Sequence, residues 1–258
     1  MVPKIIHFVW LSDDEYPEKI SQCLGSFKRV LPDYEIRRWT IKDAREIGSK
    51  FVNQSIENKK WAFATDYIRL YAVYNFGGIY LDSDVFVFKS FNDLLNQGAF
   101  IGRESSLHIH DGKTEQLLGA HCFGAEPGNK YLGRCLQVYQ EHSFVIAQDS
   151  TLPEQVRLDL TTSPRIMADI AKEEYGYEAS ALHNEFQDLG EIRIFPSEYF
   201  DPSTPTSNSY IRHLATGSWR KEKCYEPEYS LKYKIEWRIV SVLSSILNKL
   251  GYITIKLR

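Results

Sequence analysis

Short apolar runs alternate with amphipathic stretches along the first hundred residues of this chain. Residues 4–10 read as a buried first strand, with Ile5, Ile6, Phe8 and Val9 in sequence and Pro3 at its edge. Residues 17–30 space Ile20, Leu24, Phe27 and the following Leu31 at helical intervals, which predicts a helix with one apolar face. Leu31-Pro32-Asp33 breaks that pattern, and residues 34–39 read as a second strand. A longer helix is predicted over residues 59–76, with Ala62, Phe63, Tyr67, Leu70, Tyr71 and Tyr74 on its apolar side and Gly77-Gly78 ending it. A further apolar strand follows at once.

Strands are also predicted over residues 100–103 and 116–123, and a helix over residues 129–139. Ser163 is expected as an N-cap, with Pro164 in the first helical position. Residues 201–209, rich in Pro, Ser and Thr, read as a loop. Residues 210–214 read as a short strand before a turn at Gly217-Ser218. Alternating strands and helices predict an α/β fold, a sheet covered by helices. The chain shows no internal repeat and no linker, and its 258 residues suit one large domain with a real core.

Composition narrows the function. The 43% apolar and 25% charged fractions are those of an ordinary soluble globule. A net charge of -3 argues against nucleic acid as a partner. The high aromatic share, 14%, suits carbohydrate and nucleobase sites as well as a core. Cys23, Cys122, Cys135 and Cys224 have no metal-type spacing and read as free thiols of a reducing compartment. The chain opens directly into a strand, and no run reaches the roughly 18 apolar residues of a membrane span. A cytoplasmic catalytic body is therefore expected.

The stretch Gly77-Gly78-Ile79-Tyr80-Leu81-Asp82-Ser83-Asp84-Val85-Phe86-Val87-Phe88 sets two carboxylates two residues apart between apolar runs. In an extended chain, residues i and i+2 point to one side, so Asp82 and Asp84 are expected to converge where a buried strand meets solvent. Converging carboxylates repel unless something positive lies between them. A divalent cation bound to a diphosphate meets that need, which points to sugar transfer from a nucleotide sugar. Two other readings compete. Asp is common in turns after strands. Aspartyl-nucleophile phosphatases also use D-x-D, but on a first strand with Thr or Val two residues beyond the second Asp, where this chain has Phe86.

Asp66 and Arg69 lie three apart on the helix that feeds this strand, in a stripe with Ala62 and Val73. The stripe reads either as an ion pair on a solvated surface or as the border of a cleft. In a cleft, Arg69 would clamp a phosphate or sugar hydroxyl and Asp66 would hold another hydroxyl. Trp10 ends the first strand, where ligands of open α/β sheets bind, and reads as a rim residue or a nucleobase platform. No Gly-rich phosphate fingerprint follows it. His213 is either a satisfied core histidine or the third member of an Asp82-Asp84-His213 metal set. His108 and His110 alternate in an extended segment, and neither they nor His121 has a partner visible in the sequence.

Six segments carry a resemblance through their joint order. They are Pro3-Lys4-Ile5-Ile6-His7-Phe8-Val9-Trp10, Leu31-Pro32-Asp33-Tyr34, Ala64-Thr65-Asp66-Tyr67-Ile68-Arg69-Leu70, Gly77 to Asp84, Pro196-Ser197-Glu198-Tyr199-Phe200 and His213 to Trp219. Together they resemble the family 32 glycosyltransferases and the related catalytic domains of large clostridial glucosylating toxins. The resemblance implies a GT-A fold: a single Rossmann-like nucleotide-sugar-binding domain with a mixed central sheet. It also implies a Mn2+ or Mg2+ ion and transfer with retention at the anomeric carbon.

By the same resemblance, Val9 and Trp10 hold the base, and Thr65, Asp66 and Arg69 contact donor sugar and phosphate. Tyr80 and Asp82 lie near ribose and sugar. Asp84 binds the metal, helped by Asp82 and His213, and Ser218 and Trp219 form a lid over the diphosphate. Asp66, Arg69, Asp82 and Asp84 are then the catalytic set. Two stretches depart from the family pattern. Ala120-His121-Cys122-Phe123-Gly124 replaces an Asn-led run, and Ser163-Pro164 replaces a Gly-Pro beside the acceptor pocket.

The segment 230–250 sets Ile235, Ile239, Val242, Ile246 and Leu250 against Lys232, Lys234, Arg238 and Lys249, with Trp237 among them. The expected organisation is a GT-A domain over residues 1–225 and a basic amphipathic helix over 226–258. That helix either packs on the core or lies on an anionic membrane surface, the inner face of the cell membrane. The expected partners are a nucleotide-sugar donor, UDP-linked by preference, and a glycan or lipid-linked oligosaccharide acceptor in capsular polysaccharide assembly. A toxin-like protein glycosyltransferase would share this chemistry. A non-catalytic nucleotide-sugar-binding module is opposed by the retained Asp-Arg pair and both carboxylates.

Overall fold

The computed structural model of the protein describes residues 1–110, 112–180 and 184–216. In chain order its first elements are β1 (Ile5–Val9), α1 (Glu18–Val30), β2 (Glu35–Trp39), α2 (Ile41–Glu46), α3 (Lys50–Glu57), α4 (Trp61–Phe76), β3 (Gly78–Leu81) and β4 (Val85–Val87). Then come β5 (Phe100–Arg103), β6 (His108–His110), β7 (Lys113–Glu115), β8 (Leu118–Ala125), α5 (Lys130–Glu141) and α6 (Glu154–Arg157). The last are α7 (Ser163–Tyr175), β9 (Gln187–Asp188), β10 (Arg193–Phe195), α8 (Ser197–Phe200) and β11 (Ile211–His213).

Seven strands form one sheet in the order β2-β1-β3-β8-β5-β10-β9. β1 pairs parallel with both β2 and β3, across helical connections of the kind parallel neighbours need. β8 enters antiparallel between β3 and β5, and β10 lies parallel to β5. The sheet is therefore mixed, and the α/β expectation holds. After β3 the chain leaves this sheet, because β4 pairs with β11 in a separate antiparallel ribbon.

Alternation along the strands divides the core into two layers. Ile6, Phe8, Ile79, Leu81 and Cys122 face Phe27 of α1 together with Phe91, Phe200 and Tyr210. Val9, Tyr80 and Phe123 face the opposite layer, where Phe51, Ile68, Leu136 and Met167 come from α3, α4, α5 and α7.

α4 is the central helix of that second layer. Ala64, Asp66, Tyr67, Ile68, Arg69, Leu70, Ala72 and Val73 are all buried, so the middle of the helix has no solvated side. The solvated-surface reading of Asp66 and Arg69 is thereby corrected. The predicted apolar side is also incomplete: Phe63, Tyr71 and Tyr74 are half-buried, whereas Ile68 and Ala72 are fully enclosed. Gly77 and Gly78 end the helix with φ of +64° and +99°. A Cβ at Gly77 would lie 2.7 Å from Pro127 Cδ, and one at Gly78 would lie 2.5 Å from the Ile5 carbonyl oxygen. Glycine at both positions lets α4 and β3 press against β1.

Four helices, α2, α3, α6 and α8, escaped the sequence reading, although the caps of α2 and α3 are legible in it. Thr40 and Asp43 form a capping box at the start of α2, and the Ser49 hydroxyl accepts the Val52 N–H at the start of α3. Ser163 is not an N-cap. Thr162 holds that position without a side-chain cap bond, and Ser163 is the first residue of α7. The strand expected over 116–123 runs two residues later, as β8. The Gly217-Ser218 turn, Trp219, Cys224 and the basic helix lie outside the described residues. Among the described residues, no helix is long and apolar enough to cross a membrane, and Cys23, Cys122 and Cys135 are free thiols.

Candidate active site

The carboxylate pair sits where the chain changes sheets. The Val85 N–H bonds the Asp82 carbonyl at 3.0 Å, so residues 82–85 form a turn and not the extended run expected. The side chains converge all the same, because the turn delivers both to the edge beside β11. The Asp82 N–H bonds the His121 carbonyl of β8 at 3.0 Å, and the Leu214 N–H bonds the Asp84 carbonyl at 3.0 Å.

His213 completes the group. It lies opposite Val85 in the β4–β11 register. Its Nε2 stands 3.3 Å from Asp84 Oδ1 and 3.8 Å from Asp82 Oδ2. The Thr216 N–H and hydroxyl hold the other Asp84 oxygen at 2.9 and 3.0 Å. Donors at these separations can each lie about 2.1 Å from one divalent ion. The oxygen-rich set suits Mg2+ or Mn2+, and the imidazole tilts it toward the transition metal.

The electrostatics fit a site short of positive charge. Burial alone would raise the Asp84 carboxyl, but His213 and Thr216 outweigh it and hold the group far below the usual carboxylate range. Burial would likewise lower His213, yet Asp84, and then Asp82 and Asp201, raise it to about 9. The Cys23 thiol beneath Asp84 is pushed up to about 12 by burial and by that carboxylate, so it is protonated and no nucleophile.

Tyr80 points to the α4 side of β3 and carries the network to the helix. Its hydroxyl donates to Asp82 Oδ1 at 2.6 Å, and the Arg69 guanidinium carbon lies 4.9 Å from its ring centre. Arg69 Nη2 stands 3.2 Å from Asp66 Oδ1 and 3.4 Å from Asp82 Oδ1. Its Nη1 donates to the Ala120 carbonyl at 2.9 Å. The Asp66 carboxylate also accepts the Ser163 hydroxyl at 2.8 Å and the Ser163 N–H at 3.2 Å, which ties α4 to the N-terminus of α7. Burial pushes the Asp66 carboxyl up, opposed by Arg69 and Ser163. For Arg69 the surrounding Asp82, Tyr80 and Asp66 overcome burial and keep the guanidinium charged.

Asp66, Arg69, Tyr80, Asp82, Asp84 and His213 thus form one connected group. Asp66 and Arg69 are enclosed, with side chains 9% exposed, whereas Asp82 and His213 are 21% and 23% exposed and face the opening. Val9 and Trp10 end β1 on the same edge of the sheet. The register pairs His7 with Tyr80, so Val9 comes level with Asp82. Trp10 packs edge-on against Tyr16, and its buried indole N–H has no acceptor among the described residues. Thr65 donates its hydroxyl to the Trp61 carbonyl of its own helix. Ser218 and Trp219 lie outside the described residues.

The sequence reading missed Ser163 as the support of Asp66, Thr216 as the support of Asp84, and His121. The His121 ring stacks on His213 with centroids 4.5 Å apart. Only folding brings these distant positions together.

Comparison with known proteins supports the reading of the turn. Residues 17–101, about a third of the chain, match the model of the glycosyltransferase sugar-binding region containing the DXD motif. Inositol phosphoceramide mannosyltransferase 3 of Schizosaccharomyces pombe is 34% identical over 108 residues, 40% of this chain and 30% of that protein. Inositol phosphoceramide mannosyltransferase 1 of the same organism is 29% identical over 111 residues, 39% of this chain and 33% of that one. The chain therefore spans about a third of the length of these relatives.

Two solved structures align at low identity. The PaToxG glycosyltransferase aligns at 18% identity and a TM-score of 0.43, over 67% of this chain and 70% of that one. The galactosyltransferase LgtC, with donor and acceptor sugar analogues, aligns at 15% identity and a TM-score of 0.41, over 98% and 97%. The Asp82-Ser83-Asp84 turn lies near the end of residues 17–101, the stretch that is similar to the DXD-containing glycosyltransferase sugar-binding region.

Proposed function

We propose that the protein is a metal-dependent, retaining hexosyltransferase that uses a nucleotide diphosphate sugar. The observation that carries this reading is the convergence of Asp82, Asp84 and His213 at an open edge of the sheet, on the segment matched to the sugar-binding region. Asp82 Oδ2, Asp84 Oδ1 and His213 Nε2 would hold Mn2+ or Mg2+, which when bound neutralises charge on a departing diphosphate. Thr216 fixes the Asp84 rotamer, and Tyr80 fixes Asp82. Arg69 bridges and orients Asp66 and Asp82, so that Asp66 is placed to accept a donor-sugar hydroxyl. Trp10 would meet the base, and Ser218 and Trp219 would cover the diphosphate.

Retention without an enzyme nucleophile is consistent with the protonated thiols around the turn. A UDP-sugar is the donor expected from the sequence. The two inositol phosphoceramide mannosyltransferases similar to this chain favour a second reading, mannosyl transfer to a lipid-borne inositol phosphate, for which GDP-sugars belong in any donor panel. The catalytic unit is proposed to span residues 1–225, with 226–258 meeting an anionic membrane that carries the acceptor. Vesicle flotation tests this: binding should fall when Lys232, Lys234, Arg238 and Lys249 are replaced by Gln, and undiminished binding would remove the proposal.

The activity test is nucleotide release from UDP- and GDP-sugars, with and without Mn2+, for the wild type and Asp84→Ala. Slow Mn2+-dependent release from one donor, lost in the variant, is the expected result. Release that ignores both EDTA and Asp84→Ala would contradict the metal assignment.

A further inference from the structure

His213 is shared by two clusters of metal-binding groups. One is Asp82, Asp84 and His213; the other is His121, Asp201 and His213; in each, the donor atoms lie within 4.8 Å of one another. The ring geometry separates them. The His121 and His213 planes are inclined by only 15°, with centroids 4.5 Å apart. An ion bound to an imidazole lies in the ring plane, about 2 Å from the nitrogen. Two nearly parallel planes at this spacing share no such point, so the pair does not grip one ion.

Two further atoms of the second cluster already have partners within the fold. His121 Nε2 lies 2.9 Å from the Phe200 carbonyl, which only accepts, so Nε2 carries a proton and donates it. Asp201 Oδ2 accepts the Ser105 N–H at 2.7 Å and the Ser105 hydroxyl at 2.9 Å.

We infer that His121 is a positioning residue for the metal site, acting through His213 and not as a ligand; the inference rests on the metal reading above. The His121 ring is buried and fixed by its bond to Phe200. A flat, fixed ring against His213 prevents that imidazole from swinging and keeps Nε2 aimed at Asp82 and Asp84. The His121 carbonyl meanwhile accepts the Asp82 N–H. One residue of β8 thus braces the turn through its backbone and the third ligand through its ring. Groups that orient a ligating histidine typically change metal affinity about 10- to 100-fold.

The test is a double-mutant cycle on Mn2+ affinity, read from the paramagnetic resonance signal of the free ion, with His121→Leu, His213→Ala and the double variant. His121→Leu keeps the volume and the backbone carbonyl while removing the ring. It should weaken Mn2+ binding about tenfold with His213 present and leave it unchanged with His213→Ala. His121→Phe keeps a flat ring, costs the fold less, and should stay within about threefold of wild type. Equal losses in both backgrounds, no loss in either, or a Phe variant as weak as the Leu variant would each overturn the inference. A wild-type chain that binds no Mn2+ would overturn the metal reading itself, and the inference with it.

Discussion

The two ends of β3 hold two histidines in opposite charge states. At the Gly77-Gly78 end, His7 is fully buried, with no carboxylate beside it among the described residues. The Trp39 indole N–H donates to its Nδ1 at 3.2 Å, so the proton sits on Nε2, which donates to the Gly77 carbonyl at 2.8 Å. Both nitrogens are satisfied by a neutral ring, and burial, aided by Arg37, lowers the group to about 4. At the other end, His213 is partly buried, but Asp84 and Asp82 draw it up to about 9. Burial alone makes an imidazole neutral, and it stays charged only where the fold leaves negative charge uncompensated. The first end is a closed account of donors and acceptors; the second is open to a cation.

The comparison breaks most visibly at Asp84. Asp84→Ala should cut metal-dependent nucleotide release about 1000-fold, the equivalent of several kcal/mol of charge stabilisation, while leaving the fold intact by circular dichroism. Arg69→Met should act chiefly on stability, because it strands Asp66 and Asp82 without their shared cation. A loss of about 3–5 kcal/mol in urea unfolding is expected. A variant as stable as wild type would show that the two carboxylates are not held by Arg69.

The smallest expected effect lies at the closed end. His7→Phe should cost about 1–3 kcal/mol, through the unpaired Trp39 N–H and Gly77 carbonyl, and leave Mn2+ affinity unchanged. The two ends also differ in pH response. The folded value of His7 is depressed, so its contribution is full above about 6.5 and fades as pH falls through 4. The folded value of His213 is raised, so in the metal-free protein its contribution is full below about 6.5 and fades as pH rises through 9. Stability curves of the metal-free chain, with and without each histidine, would show both slopes.

Much of this was legible in the sequence. Apolar spacing marked β1, α1, β2 and the long helix before Gly77-Gly78, and the two aspartates marked the site. What stayed hidden had physical reasons. Asp66 and Arg69 could not be assigned between a solvated surface and a cleft because three-residue spacing defines a face but not what covers it; Ile68, Ala72 and Val73 around them were the sign of a helix enclosed on all sides. The D-x-D segment looked extended because alternation carries no information about a strand that changes partners after Leu81. Ser163 looked like a cap because Ser before Pro favours one, whereas its hydroxyl serves a carboxylate 97 positions earlier. His121 gave no signal, since its ring partner comes from β11 and its support from the Phe200 carbonyl.

The central claim is that a divalent cation at Asp82, Asp84 and His213 takes over the charge that a proton on His213 otherwise supplies. Calorimetric Mn2+ titration at pH 7.5, in buffers of different ionisation heat, counts the protons released on binding. The account predicts about one proton released per Mn2+ bound to the wild type, and none in His213→Ala. Tight Mn2+ binding with no proton released, or the same release from both proteins, would contradict it.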